Sequence, residues 1–166
     1  MSGALRVIYL QPGDIFFGGG AVELKTLLGS CVAITLWHAR RRIGGMCHIM
    51  LPSEVRGMCD GRHAPCVIES FMEHLQQTDT SPPDYVVKVY GGGRMFNMVL
   101  PTPSIDIGGR NVEASLALLA QNGFRVAHRD VGGTGYRNIH MNLLDGSVSC
   151  RTSCQSSQPG EDGKRG

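Results

Sequence analysis

Apolar and β-branched residues occur in short runs separated by Gly, Pro and Asp, a pattern typical of strands joined by tight turns. The run LRVIYL predicts a first strand that stops at QPGD, and Tyr85 to Tyr90 and FRVAHRDV predict two more. The apolar run CVAITLWHA predicts either a buried strand or a short helix. After the Arg40–Arg42 turn, MCHIML predicts the returning strand of a hairpin, and IHMNLL, DG and SVSCR together predict a second hairpin.

Two segments have helical spacing instead. Apolar residues at positions 64, 67, 68, 71, 72 and 75 would form one buried helix face. A second helix is predicted from an N-cap at Asn111 to about Gln121, closed by Asn122-Gly123. Because strands, helices and hairpins alternate irregularly, the pattern favours a layered α/β or α+β domain over a purely parallel sheet. We predict one domain over residues 1–151 and a polar, disordered tail over 152–166.

Composition narrows the classes of function. The chain has 166 residues, enough for one domain with a real core, and a net charge of +2. That charge is too small to indicate binding to nucleic acid or to a membrane surface. The N-terminal sequence has no signal-peptide core, and no apolar window is long enough to span a bilayer. We therefore expect a cytoplasmic protein whose six cysteines stay reduced.

Cys31 is the first candidate for chemistry, because it follows Gly29-Ser30 at the start of an apolar run. It is either a small buried hydrophobe or a nucleophile beside backbone N–H groups that could receive an oxyanion. If the run opened as a helix, its N-terminal dipole would lower the pKa of the Cys31 thiol. His48, on the predicted returning strand, is either its base or a core histidine, and spacing alone leaves both readings open.

Other cysteines give weaker signals. Alternation along a strand would turn Cys47 away from any site that His48 faces. The spacing of Cys59, His63 and Cys66 matches no common zinc signature and lacks a fourth ligand, so we predict no metal there. GGGRMF is rich in glycine but lacks the Lys and Ser/Thr of a phosphate-binding loop.

Four segments together carry a family resemblance. TLLGSCVAITLW, RRIGGMCHIMLP, VKVYGGGRMF and IGGRNVEASLALLAQNGFRVAHRDVGGTGYRNIHMN, in this order, resemble the bacterial chemoreceptor glutamine deamidase family, CheD. The resemblance spans roughly residues 6–150, nearly the whole chain before the tail. It implies a fold similar to the cytotoxic necrotizing factor deamidases, an α+β protein in an α/β/β/α sandwich of mixed sheets.

The resemblance also implies residue roles. The family nucleophile falls on Cys31, the base on His48, and a third residue on Thr26, or on Lys25 if the alignment shifts by one. The turn at Gly29 and Ser30 would supply the oxyanion donors.

The implied reaction hydrolyses glutamine side chains of methyl-accepting chemotaxis receptors to glutamate, in adaptation, without metal or cofactor. The implied partners are receptor cytoplasmic domains, as substrate, and a CheC-type phosphatase in organisms that have one. Two other functions stay open at this point: a binding adaptor with a vestigial site, and a receptor methylesterase using the same Cys-His pair.

Overall fold

The computed structural model describes residues 3–95 and 106–153. Its strands and helices are, in chain order, β1 (Arg6–Tyr9), β2 (Ile15–Gly19), β3 (Val22–Leu28), β4 (Val32–His38), β5 (Ile43–Cys47), α1 (Ala64–Gln77), β6 (Val86–Gly91), α2 (Ile107–Gln121), β7 (Val126–Val131), β8 (Tyr136–Asn142) and β9 (Val148–Ser153). A short 3₁₀ helix, Pro82–Asp84, leads into β6.

The strands form two mixed sheets. A four-stranded sheet has the order β1-β3-β8-β9, and a five-stranded sheet has the order β2-β5-β4-β6-β7. Each contains one parallel pair, β1 with β3 and β6 with β7, and is otherwise antiparallel. The prediction of an α+β fold with mixed sheets is therefore confirmed.

Two cores lie on the two faces of the five-stranded sheet. On one face, Val32, Ile34 and Leu36 of β4 pack against Phe71 of α1 and Leu119 of α2. On the other face, Ala33 and Trp37 of β4 join Leu24 and Leu28 of β3 and Ile139 of β8, which fills the space between the sheets. Because β4 contributes to both cores, all seven of its residues are buried.

The predicted four-layer order is wrong for the described residues. Both α1 and α2 pack on the five-stranded sheet, giving three layers, with helices over one sheet and the second sheet beneath. The outward positions of the four-stranded sheet explain why it needs no helix cover. Glu23, Lys25, Asn138 and His140 are polar and partly or fully exposed there, so water can solvate this face. The likeness to the necrotizing factor deamidases stays a prediction.

Most predicted elements are present, but the returning strand predicted over MCHIML is Ile43–Cys47 and ends one residue before His48. The run from Cys31 that could have been strand or helix is a strand, and the helix with apolar positions 64 to 75 is α1. The N-cap of α2, however, is Asp106 and not Asn111, because the Asp106 carboxylate accepts a hydrogen bond from the Gly109 N–H at 2.9 Å. Strands β2 and β3 were not predicted.

The predicted tail lies outside the described residues apart from Thr152 and Ser153, which end β9. Within the described ranges, no helix has the length and apolarity needed to cross a membrane.

Candidate active site

Gly29, Ser30 and Cys31 form the whole connection between β3 and β4, so the chain crosses from one sheet to the other within this turn. The carbonyls on both sides are held by the glycine loop after β6. The Gly93 N–H donates to the Gly29 carbonyl and the Gly92 N–H to the Cys31 carbonyl, each at 2.9 Å. Gly91 must be glycine because a Cβ there would collide with the Cys31 carbonyl.

The N–H groups of the same turn are not used in this way. Among residues 3–95 and 106–153, the Ser30 and Cys31 N–H groups donate to no protein acceptor. Unpaired backbone donors beside a cysteine side chain are what stabilisation of an oxyanion on an attacked carbonyl requires. The turn therefore offers a nucleophile and two candidate oxyanion donors within three residues.

His48 lies on the same sheet face as Cys31. Val32 and Ile49 pair antiparallel through two backbone hydrogen bonds of 3.0 and 2.8 Å, which extends the sheet beyond the ends of β4 and β5. In this register Cys31 and His48 are diagonal neighbours, a relation that places backbone positions roughly 7–8 Å apart and side chains within reach. Cys47 points to the opposite face, into the core beneath the helices, as predicted.

Thr26 reaches His48 from the other sheet. It is 5% exposed, and its Oγ1 lies 2.7 Å from His48 Nδ1 and 2.8 Å from the Leu10 carbonyl. The structure thus brings Thr26 to the histidine, whereas Lys25 faces outward with its ammonium 5.7 Å from the centre of the Tyr9 ring.

These hydrogen bonds define a tautomer for His48. A hydroxyl has one hydrogen, and that of Thr26 donates to the Leu10 carbonyl. Thr26 Oγ1 must then accept from His48, so we assign the ring proton to Nδ1. This leaves Nε2 of His48 with its lone pair, ready to accept a proton.

Burial shifts both candidate groups towards their neutral forms. It raises the pKa of the half-buried Cys31 thiol and lowers the pKa of the His48 imidazole. For His48, the nearby Leu10 carbonyl and the negative charge of Asp14 raise the pKa and partly oppose the effect of burial. Because Cys31 precedes a strand and not a helix, no helix dipole lowers its pKa. Both shifts favour the uncharged thiol and the uncharged imidazole.

Sequence reasoning missed three contributors. The Leu10 carbonyl and Asp14 act on Thr26 and His48 from the segment between β1 and β2, which gives no sequence signal. Asn111 was read as a helix cap, but it is fully buried and its side chain contacts the Ser30 carbonyl.

The expectation that all cysteines stay reduced is wrong for one pair. Cys59 and Cys66 form a disulfide with their Cα atoms 5.5 Å apart, a separation that suits such a bridge. Glu54 lies beside the same two sulfurs. These sulfurs are bonded to each other, and the His63 side chain pairs with Asp60 instead of approaching them.

Comparison with known proteins shows which family this chain belongs to. The family model described as CheD chemotactic sensory transduction matches residues 50–152. A Pseudomonas syringae pv. syringae protein named probable chemoreceptor glutamine deamidase CheD is 45% identical over 87% of this chain and 83% of its own length. The chain belongs to the CheD family.

More distant members support the same assignment. A Dechloromonas aromatica protein named probable chemoreceptor glutamine deamidase CheD 3 is 42% identical over 87% of this chain and 86% of its own length. A Methanococcus vannielii protein of the same CheD name is 37% identical over 87% and 94%. The solved structure of the Bacillus licheniformis hypothetical protein YfiH, at 11% identity over 78% of this chain and 59% of that chain, gives a TM-score of 0.47, which supports no argument.

Proposed function

We propose that this CheD-family chain hydrolyses glutamine side chains of chemotaxis receptors to glutamate, with Cys31 as nucleophile and His48 as base. The observation that carries the proposal is the 2.7 Å contact between His48 Nδ1 and Thr26 Oγ1, because the tautomer assigned from it leaves Nε2 basic on the face that His48 shares with Cys31. The names of the CheD relatives supply the substrate class.

The reaction starts from the neutral pair. His48 Nε2 accepts the Cys31 proton as the sulfur attacks the glutamine Cδ, and the carbonyl oxygen becomes an oxyanion facing the Ser30 and Cys31 N–H groups. Protonated His48 then delivers that proton to the leaving nitrogen, and ammonia departs to leave a thioester on Cys31.

The second half of the reaction reverses these roles. Neutral His48 accepts a proton from water, and the resulting hydroxide attacks the thioester carbonyl. Collapse of the second oxyanion expels the Cys31 sulfur, which recovers its proton from His48, and the product is glutamate. Thr26 keeps the ring proton on Nδ1 throughout, so Nε2 carries every transfer.

The position of the site suits a protein substrate. Cys31 is half-buried at the junction of the two sheets, so a side chain presented by a receptor helix could reach it from the surface. New glutamates would become substrates for a receptor methyltransferase, which links the reaction to adaptation. A CheC-type phosphatase stays a predicted partner.

The experiment compares wild type with Cys31→Ala and with a control, Cys150→Ala. Cys150, on β9, is the other free cysteine within residues 3–95 and 106–153 that is only half-buried. Receptor cytoplasmic fragments are incubated with each protein, and tryptic peptides are read by mass for replacement of ammonia by water.

We expect conversion by wild type and Cys150→Ala and none by Cys31→Ala. Conversion by Cys31→Ala would refute the nucleophile. Receptor binding without conversion by wild type would favour an adaptor, and loss of a methylene from methylated peptides would favour a methylesterase.

A further inference from the structure

The side chain of Asn111 joins the two parts of the candidate active site. It projects from α2, is fully buried, and uses one NH₂ group for two long-range hydrogen bonds. Nδ2 donates to the Ser30 carbonyl at 3.1 Å and to the Met50 carbonyl at 3.0 Å. Ser30 precedes the candidate nucleophile, and Met50 lies opposite Cys31 in the register that pairs Val32 with Ile49.

The first bond fixes the direction of a specific N–H. The Ser30 carbonyl and the Cys31 N–H belong to one trans peptide, so they point in opposite directions. With the carbonyl held towards α2 by Asn111, the Cys31 N–H is directed away from the helix. Gly93 holds the neighbouring Gly29 carbonyl, which directs the Ser30 N–H in the same manner.

The second bond ties this peptide to the strand of the base. Met50 is two residues after His48, and its carbonyl shares the Asn111 amide with Ser30. Movement of the turn relative to the His48 strand would therefore break one of the two bonds. Asn111 Oδ1 is buried without a partner among the described residues, which by itself lowers stability.

We propose that Asn111 is a positioning residue of the deamidase site, which orients the Cys31 N–H towards the oxyanion and fixes the turn against the His48 strand. This inference rests on the proposed function, because an oxyanion forms only if Cys31 attacks a carbonyl. Asn111 acts through the backbone and need not touch the substrate.

The test measures kcat and KM for Asn111→Ala and Asn111→Leu on a receptor fragment. The matched control is Ser115→Ala. Ser115 lies one turn later on α2 and is equally buried, and its hydroxyl donates, within the described residues, only to the Asn111 backbone carbonyl, at 2.7 Å. Removing an oxyanion donor outright costs about 10²–10³ in kcat, so misdirecting one should cost about 10- to 100-fold. KM should change by less than about threefold, since the bond matters in the transition state and not in substrate binding.

Each rate is divided by the folded fraction measured by circular dichroism at the assay temperature. Loss of kcat in both Asn111 variants, with Ser115→Ala close to wild type, supports the proposal. If either folded Asn111 variant keeps a kcat within twofold of the control, Asn111 does not position the site, although the proposed function stands. Failure of both variants to fold would assign Asn111 a purely structural role and overturn the proposal. Absence of conversion by wild type would instead overturn the proposed function itself.

Discussion

Replacing Thr26 by valine tests how His48 is oriented. Valine has the shape of threonine, so the substitution removes the hydroxyl and leaves no cavity. Two buried groups then lose their partner, the Leu10 carbonyl and His48 Nδ1. Leaving each unsatisfied costs about 1–3 kcal/mol, and burying a methyl in place of the hydroxyl returns about 0.8 kcal/mol.

The expected loss of unfolding free energy is therefore about 3 kcal/mol, and for a domain of this size the melting temperature should fall by about 6–12 °C. The catalytic effect is separate. Without Thr26, the proton on His48 is free to occupy Nε2, which would remove the base. We expect kcat to fall by about 10- to 100-fold, or about 1.4–2.7 kcal/mol of activation free energy.

The assay follows ammonia release from a receptor fragment at a temperature where each variant is folded. Thr26→Ser, which keeps the hydroxyl, should retain most of kcat. Thr35→Val is the control, since Thr35 is a buried threonine of β4 that does not bond to His48. A folded Thr26→Val protein with wild-type kcat would refute the assignment of Nδ1–H to the resting histidine.

Two further predictions concern pH and redox state. Because burial lowers the pKa of His48 below its ordinary 6.5, kcat/KM should fall in acid only below pH 6.5; a midpoint above that value would contradict the neutral resting pair. Because the pKa of His48 is lower in the folded protein, the unfolded chain takes up the proton first as the pH drops. The unfolding free energy should therefore fall from pH 6.5 through the folded pKa, by at most about 1.4 kcal/mol per pH unit. His48→Gln should remove this slope in urea titrations. A non-reducing tryptic map should join peptide 57–62, which holds Cys59, to peptide 63–88, which holds Cys66. Reduction of the Cys59–Cys66 disulfide, which closes a short loop, should lower the unfolding free energy by about 2.5 kcal/mol. Separate alkylation of both cysteines in untreated protein would contradict the bridge.

Local patterns were sufficient for much of the fold. The spacing from Ala64 to Leu75 predicted α1 because a helix buries every third or fourth residue whatever lies beneath it. The β8–β9 hairpin was also predicted from a local pattern, two strand-like runs joined by Asp145-Gly146. Strand β2 was missed because its last two residues are glycines and because the strand that it pairs with, β5, is distant in sequence.

The candidate site was only partly predictable. The sequence left the third residue open between Thr26 and Lys25, and the alternation that places Val22, Leu24, Thr26 and Leu28 on one face became visible only once VELKTLL was seen to be a strand. The role of Asn111 had no such signal. Its two acceptors are separated from it by 81 and 61 positions, and the glycines before it conceal the first turn of α2. The Cys59–Cys66 bridge was excluded by an argument from cellular compartment that says nothing about distance.

The crossing of the chain between sheets at Gly29–Cys31 has a consequence for how the protein gains its reactivity. Thr26 belongs to one sheet, while Cys31 and His48 extend the other, so neither sheet alone contains a base with a fixed tautomer. In the proposed mechanism, a chain whose two sheets have not yet docked would lack the contact between Thr26 and His48 and therefore a base with a fixed tautomer. Separation of the two sheets in the folded protein would remove the same contact and, with it, the proposed activity.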